Sequence, residues 1–286
     1  MKKYNLNLKS IFDQRELFVA TMHGKEKVIG TKMKEAFGIS SCIDKEFNTD
    51  EFGTFSGEIE RLVSPYESAI KKCELAHEKF SYDLVIASEG SFYMTFGFVS
   101  TNHEFILLKD FKNDLEIKAD FVTHDTNFNG QLFNGVEGLE DFLDKCKFPS
   151  HALILRPKSD SFERMDKGVN NIVHLERLMQ SYLNEFGSVY LETDMRAMFN
   201  PTRMLSISSA TDKLVSKMKS NCPDCSVPGF DIKRVEDGLP CELCLTPTKG
   251  VKKHIYECDK CSFSNEILYP NKKSFQDPMY CDVCNP

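Results

Sequence analysis

Cys222/Cys225, Cys241/Cys244, Cys258/Cys261 and Cys281/Cys284 form four Cys-x-x-Cys pairs near the end of the chain. Nothing else in the sequence restricts the fold so tightly. Two residues between ligands let a tight knuckle aim both sulfurs at one ion, and four thiolates complete a tetrahedral Zn²⁺ site. The eight cysteines therefore predict two zinc ions. Each site is closed by four thiolates and keeps no open coordination position, so both zincs are expected to be structural. Leu239-Pro240-Cys241 reads as an opening knuckle, while Tyr256-Glu257-Cys258 and Met279-Tyr280-Cys281 read as closing ones. That order favours an inner ribbon from Cys241 to Cys261 within an outer site made by the first and last pairs. Sequential and interleaved pairings stay open. The short strands and turns of residues 220–286 predict a double zinc-ribbon domain.

Composition bounds what surrounds this tail. The chain has 286 residues, 41% of them hydrophobic, enough for one sizeable core beside a small appendage. Its formal net charge of -7 gives no general attraction to nucleic acid or anionic membranes. From Asn221 onward, eight lysines and arginines face ten acids. No basic stripe with interleaved aromatics appears, so binding of generic nucleic acid is not expected and the tail is read instead as a possible protein-partner module. No run approaches the roughly 18 apolar residues of a membrane span. The opening MKKYNLNLKSIFDQRE lacks the apolar core of a signal peptide, which predicts a cytoplasmic protein. Cysteines in that setting favour metal ligation over disulfides, and Cys42, Cys73 and Cys146 read as buried free thiols.

The body before the tail is organised around Ser64–Phe92. Ser64, Pro65 and Glu67 make a capping box with proline just inside the helix start. Tyr66, Ala69, Ile70, Cys73, Ala76 and Phe80 recur at helical spacing. Leu84-Val85-Ile86-Ala87 is apolar on both faces, as a central parallel strand should be, and is expected to end in the acidic loop Ser88-Glu89-Gly90-Ser91. Ligands bind beyond such strand ends, so Glu67 and Glu89 are expected to share a cleft. Upstream, a strand at Leu17–Met22 turns through His23-Gly24-Lys25 into a helix that Gly38 should end. That arrangement offers a positive helix end, with His23 and Lys25, to an anion. The segment Asn48–Arg61, with Asp50 and Glu58, reads as a polar loop before the capping box.

Further on, strands are expected near Phe105–Leu108, Leu115–Phe121, His151–Arg156 and Ser188–Glu192. Helices are expected near Val136–Cys146 and Val169–Phe186. In ETDMRAMFNPTRM, Asn200 is a good N-cap and Pro201 a good first helical residue. Arg196 and Arg203 flank that helix start and suit phosphate or carboxylate recognition, the competing reading being that they pair with Glu192 and Asp194. Alternating strands and helices around an antiparallel portion predict one three-layer α/β domain with a mixed sheet over residues 1–219.

The segments HGKE, FGTFSGE, ASEGSF, ETDMRAMFNPTRM, GLPCELC and YCDVCNP resemble a bacterial family of unknown function that carries a C-terminal double zinc ribbon. ESAIKKCELAHEKFSYDLVIASEGSF is similar to the ENAxxKA helix and ADDSGL strand and loop of inosine triphosphate pyrophosphatases. ATMHGK resembles their ATGNxxK phosphate loop, and NPTRM their late SHR helix. That family cleaves noncanonical nucleoside triphosphates with Mg²⁺. The resemblance implies Mg²⁺ at Glu67 and Glu89, with Lys72 and Arg203 as phosphate ligands. Ser88 stands where the family has its first loop aspartate, Lys25 sits one position early, and the family has no zinc tail. The sequence thus predicts a metal-dependent nucleotide pyrophosphatase, or else a non-catalytic nucleotide-binding or sensor protein on the same fold. In the pyrophosphatase reading Lys25, Lys72, Arg196 and Arg203 are the expected phosphate clamp.

Overall fold

A computed structural model of the chain describes residues 11–12, 14–44, 46–47 and 63–286. They fall into two compact units, Phe12–Val215 and a second containing Ser216–Pro286. The first is mixed α/β and the second is the cysteine-rich region. The segment expected to form a polar loop, with Asp50 and Glu58, lies outside the described residues. Among the described residues no helix is long and apolar enough to cross a membrane.

The first unit begins with parallel pairing. Strand β1 (Glu16–Ala20) lies between β2 (Ser40–Cys42) and β3 (Leu84–Thr95), parallel to both. Helix α1 (Glu26–Phe37) connects β1 to β2 and stops at Gly38, whose φ of 73° is a left-handed conformation that glycine adopts without a Cβ penalty. Helix α2 (Pro65–Phe80) precedes β3, and both arms of the Ser64–Glu67 capping box are formed. Its apolar stripe, Ala69, Cys73 and Ala76, packs with Phe18, Ala20, Val85, Ala87 and Leu107 of the sheet. The sheet is completed by β4 (Val99–Asp110) and β5 (Leu115–Thr123), both antiparallel to their neighbours, in the order β2-β1-β3-β4-β5.

Two expectations change here. Ser88–Ser91 is not a loop: it continues β3 and pairs with His103–Ile106 of β4. A partner strand along the whole length satisfies the backbone of those polar residues, so a change in side-chain character does not end the strand. Nor is there a single sheet. Strands β6 (Gly130–Phe133), β7 (Leu153–Arg156), β8 (Asp166–Val169) and β9 (Val189–Thr193) form a second, wholly antiparallel one in the order β6-β9-β7-β8. Helices α3 (Leu139–Cys146) and α4 (Ile172–Phe186) bury Phe142, Leu143, Leu175, Leu178, Met179 and Tyr182 with that sheet's Leu153, Leu155, Val189 and Leu191.

Helix α5 (Pro201–Met218) ties the two sheets together. Its start is capped by Asn200, whose Oδ1 accepts from the Arg203 N–H at 2.9 Å. Near that start the His151 ring meets Thr202, and Asn200 donates to Asn127. Arg203 reaches Glu104 of β4, and Lys213 donates to the Asp120 carbonyl of β5. The second unit is an antiparallel meander of β10 (Asp231–Asp237), β11 (Val251–Glu257) and β12 (Ser264–Leu268).

Candidate functional site

Strand β1 ends opposite Ala87, one residue short of Ser88. The Lys25 side chain fills the gap: its Nζ lies 2.9 Å from the Ser88 carbonyl oxygen and 3.1 Å from Ser88 Oγ. Lys25 follows Gly24, whose φ of 74° makes the turn from strand to helix. The Lys25 side chain is buried, and burial pushes the pKa of its ammonium down to about 7, with Arg203 next in the same direction. Glu104 and Glu89 pull it back up, and Lys72 adds a smaller downward push. Among the described residues, no carboxylate lies within ion-pair distance of this Nζ, and its hydrogen bonds go to the uncharged oxygens of Ser88.

The neighbouring charges are paired. On the face of β3 toward α2, Glu89 is 2.5 Å from Lys72 Nζ and accepts from the Ser68 hydroxyl at 3.1 Å. On the opposite face Gly90 stands across from Glu104 of β4. Arg203 donates through Nε to Glu104 Oε1 at 2.7 Å and through Nη1 to the Met195 carbonyl at 2.5 Å. Both side chains are sealed, at 0% and 1% exposure, so neither charge is compensated by solvent. A Cβ on Gly90 would stand 2.5 Å from Arg203 Nη2 and 2.7 Å from Glu104 Oε1, which explains a glycine within a strand. Three cations and two carboxylates are thus buried around one strand.

Lys25, Lys72, Glu89 and Arg203, singled out in the sequence, fall within this cluster. Glu67 does not join it. Its exposed carboxylate accepts from the Ser64 N–H and hydroxyl at 2.9 and 2.8 Å, and these bonds hold its pKa below the usual range. The first-turn residue that reaches Glu89 is Ser68. His23 is partly exposed, and its N–H donates to Thr21 Oγ1. Arg196 pairs with Asp194 at 2.6 Å and lies over the Phe199 ring. Arg156 pairs with Glu192. Sequence reading missed Glu104, although a signal existed: Asn102, Glu104, Ile106 and Leu108 alternate on one face of β4, and two of those four are apolar and buried.

These positions do not fit a Mg²⁺ site. A hard cation needs several oxygen ligands converging on one point. Glu67 is held in the cap, and Glu89 faces Lys72 in a pocket of positive charge.

In the second unit the cysteines form two four-sulfur clusters that could hold metal ions, consistent with two zinc sites: Cys222/Cys225/Cys258/Cys261 and Cys241/Cys244/Cys281/Cys284. Cross-knuckle sulfur distances are 3.6 Å for Cys222–Cys261 and Cys225–Cys258, 3.8 Å for Cys241–Cys284 and 3.6 Å for Cys244–Cys281. A tetrahedral Zn²⁺ with bonds of about 2.3 Å sets its sulfurs about 3.8 Å apart. The pairing is interleaved, not the favoured nested one. The β10–β11 ladder decides it: pairing Asp231 with Glu257 brings the first and third knuckles to one end, and pairing Asp237 with Val251 sends the second to the other. There a bridge between Cys241 and Gln276 delivers the fourth.

A family model described as Domain of unknown function (DUF6671) matches residues 72–286, a stretch holding Lys72, Ser88, Glu89, Glu104, Arg203 and all eight tail cysteines, but neither Lys25 nor Glu67. No curated protein and no solved structure matches, so the likeness to inosine triphosphate pyrophosphatases rests on the sequence motifs alone.

Proposed function

We propose a function from one premise: the chain belongs to the family described as Domain of unknown function (DUF6671). Its α/β unit binds a phosphate-bearing small molecule of the nucleotide class at the charge cluster, and its cysteine unit is a structural module with two zinc ions. The observation that carries the ligand reading is Lys25. Withdrawing an ammonium from water costs several kcal/mol even after relaxation, and is normally repaid by a paired carboxylate. Here the repayment is two uncharged oxygens of Ser88. An anion seated beside Nζ supplies what is missing, and Arg203 and Lys72 add positive potential at the same place.

The test is calorimetric titration of tripolyphosphate into the full chain and into Lys25→Met. The reading expects binding that weakens at least tenfold in the variant, with an unchanged circular dichroism spectrum. Absence of binding, or equal affinity in the two proteins, contradicts it. A second reading, hydrolysis of the bound phosphoanhydride without the Mg²⁺ that inosine triphosphate pyrophosphatases use, draws on the proximity of Lys25, Lys72, Glu89 and Arg203. It requires pyrophosphate release from at least one nucleoside triphosphate, and a screen that finds none removes it.

A further inference from the structure

Asn102 lies on the same face of β4 as Glu104, two residues further from Arg203's carboxylate partner, and stands directly across from Phe92 of β3. Its side chain is buried, at 1% exposure, and among the described residues its Oδ1 has no hydrogen-bond partner. A sealed amide oxygen without a donor costs about 1–3 kcal/mol. Beside it, the partly exposed rings of Phe92 and Phe128 lie 5.7 Å apart, and the Arg203 guanidinium sits 5.3 Å from the Phe92 ring centre. An unpaired amide acceptor and an aromatic wall therefore adjoin the Arg203 end of the charge cluster.

The geometry points to a base subsite: Asn102 accepts a hydrogen bond from the exocyclic amine of an adenine ring that packs against Phe92 and Phe128. The inference rests on the phosphate-ligand reading above and names the nucleotide. The orphan atom is an acceptor, so the ligand must bring a donor. Adenine offers N6–H₂, with N7 beside it to accept from the Asn102 Nδ2, and an Asn amide matches that pair bidentately. Hypoxanthine presents an acceptor oxygen at the same position and leaves Asn102 Oδ1 without a donor. The expected ligand is an adenine nucleotide, not the inosine nucleotide that the pyrophosphatase resemblance suggests.

The experiment measures affinities of ATP, ITP and tripolyphosphate for the full chain and for Asn102→Leu. For the natural chain, ATP is expected to bind at least about tenfold more tightly than ITP, the equivalent of one well-made hydrogen bond. In Asn102→Leu the preference disappears while tripolyphosphate affinity stays the same. The variant's melting temperature rises by about 2–4 °C, because an unpaired buried amide is replaced by an apolar group of similar size. ATP and ITP binding equally to the natural chain overturns the inference without calling on the variant. An undiminished preference in Asn102→Leu overturns it too. If tripolyphosphate and both nucleotides fail to bind, the phosphate reading falls and this one with it.

Discussion

Among single residues, Lys25 and Gly90 stand directly against the buried charges of the cluster. The unfolded chain keeps the Lys25 proton up to its ordinary value of 10.5, whereas the folded chain releases it near 7. Between those limits the unfolded state binds more protons, so the Lys25 contribution to stability rises with pH, by at most about 1.4 kcal/mol per pH unit. In chemical denaturation the stability of the natural chain minus that of Lys25→Met should therefore rise steadily with pH across that window. Parallel stability curves would show an ordinary lysine. Gly90→Ala places a methyl group against Arg203 and Glu104. Because that pair is sealed, displacing one member strands the other, and a loss of about 3 kcal/mol is expected in urea denaturation. A loss below about 0.5 kcal/mol would mean that the pair moves aside freely.

At the scale of elements, local grammar was readable and pairing was not. The capping box at Ser64 and Glu67 and the stop at Gly38 depend on neighbours within one turn, so residue identities alone disclose them. The extent of β3 depends on β4, which runs beside it from Leu84 to Thr95, and no local signal at Ser88–Ser91 reports that. The cysteines divide in the same way. A Cys-x-x-Cys pair tells which sulfurs share a knuckle, but which knuckles share an ion follows from the register of β10 on β11. Lys25 and Arg203 stood out at helix starts, Glu89 at an expected strand end and Lys72 through motif resemblance, yet their neighbour Glu104 belongs to no motif. Glu67 supplies the prediction at this scale. As a cap it should lose only a little stability in Glu67→Gln, read as a small drop in the urea midpoint, with tripolyphosphate affinity unchanged. A tenfold loss of affinity without unfolding would return it to the site.

At the scale of the whole molecule, two units rely on different sources of stability. The Phe12–Val215 unit has apolar cores under both sheets. The apolar cluster of the cysteine unit is small, Phe230 with Tyr256 and Phe263 around Cys222 and Cys258, so metal at the two four-sulfur clusters would be its main support. Metal analysis under reducing conditions should find about two zinc ions per chain, and one or none contradicts the two-cluster reading. Cys→Ser in either cluster should unfold the tail and spare the α/β unit. The charge cluster is the larger claim, and linkage between ligand and proton tests it most directly. At about pH 8 Lys25 is mostly neutral in the free protein, and a bound anion must restore its charge. Titrating tripolyphosphate in buffers of different ionisation enthalpy at that pH should reveal uptake of close to one proton per ligand, absent in Lys25→Met. Binding with no proton uptake, or the same uptake in both proteins, would contradict the placement of the anion at Lys25.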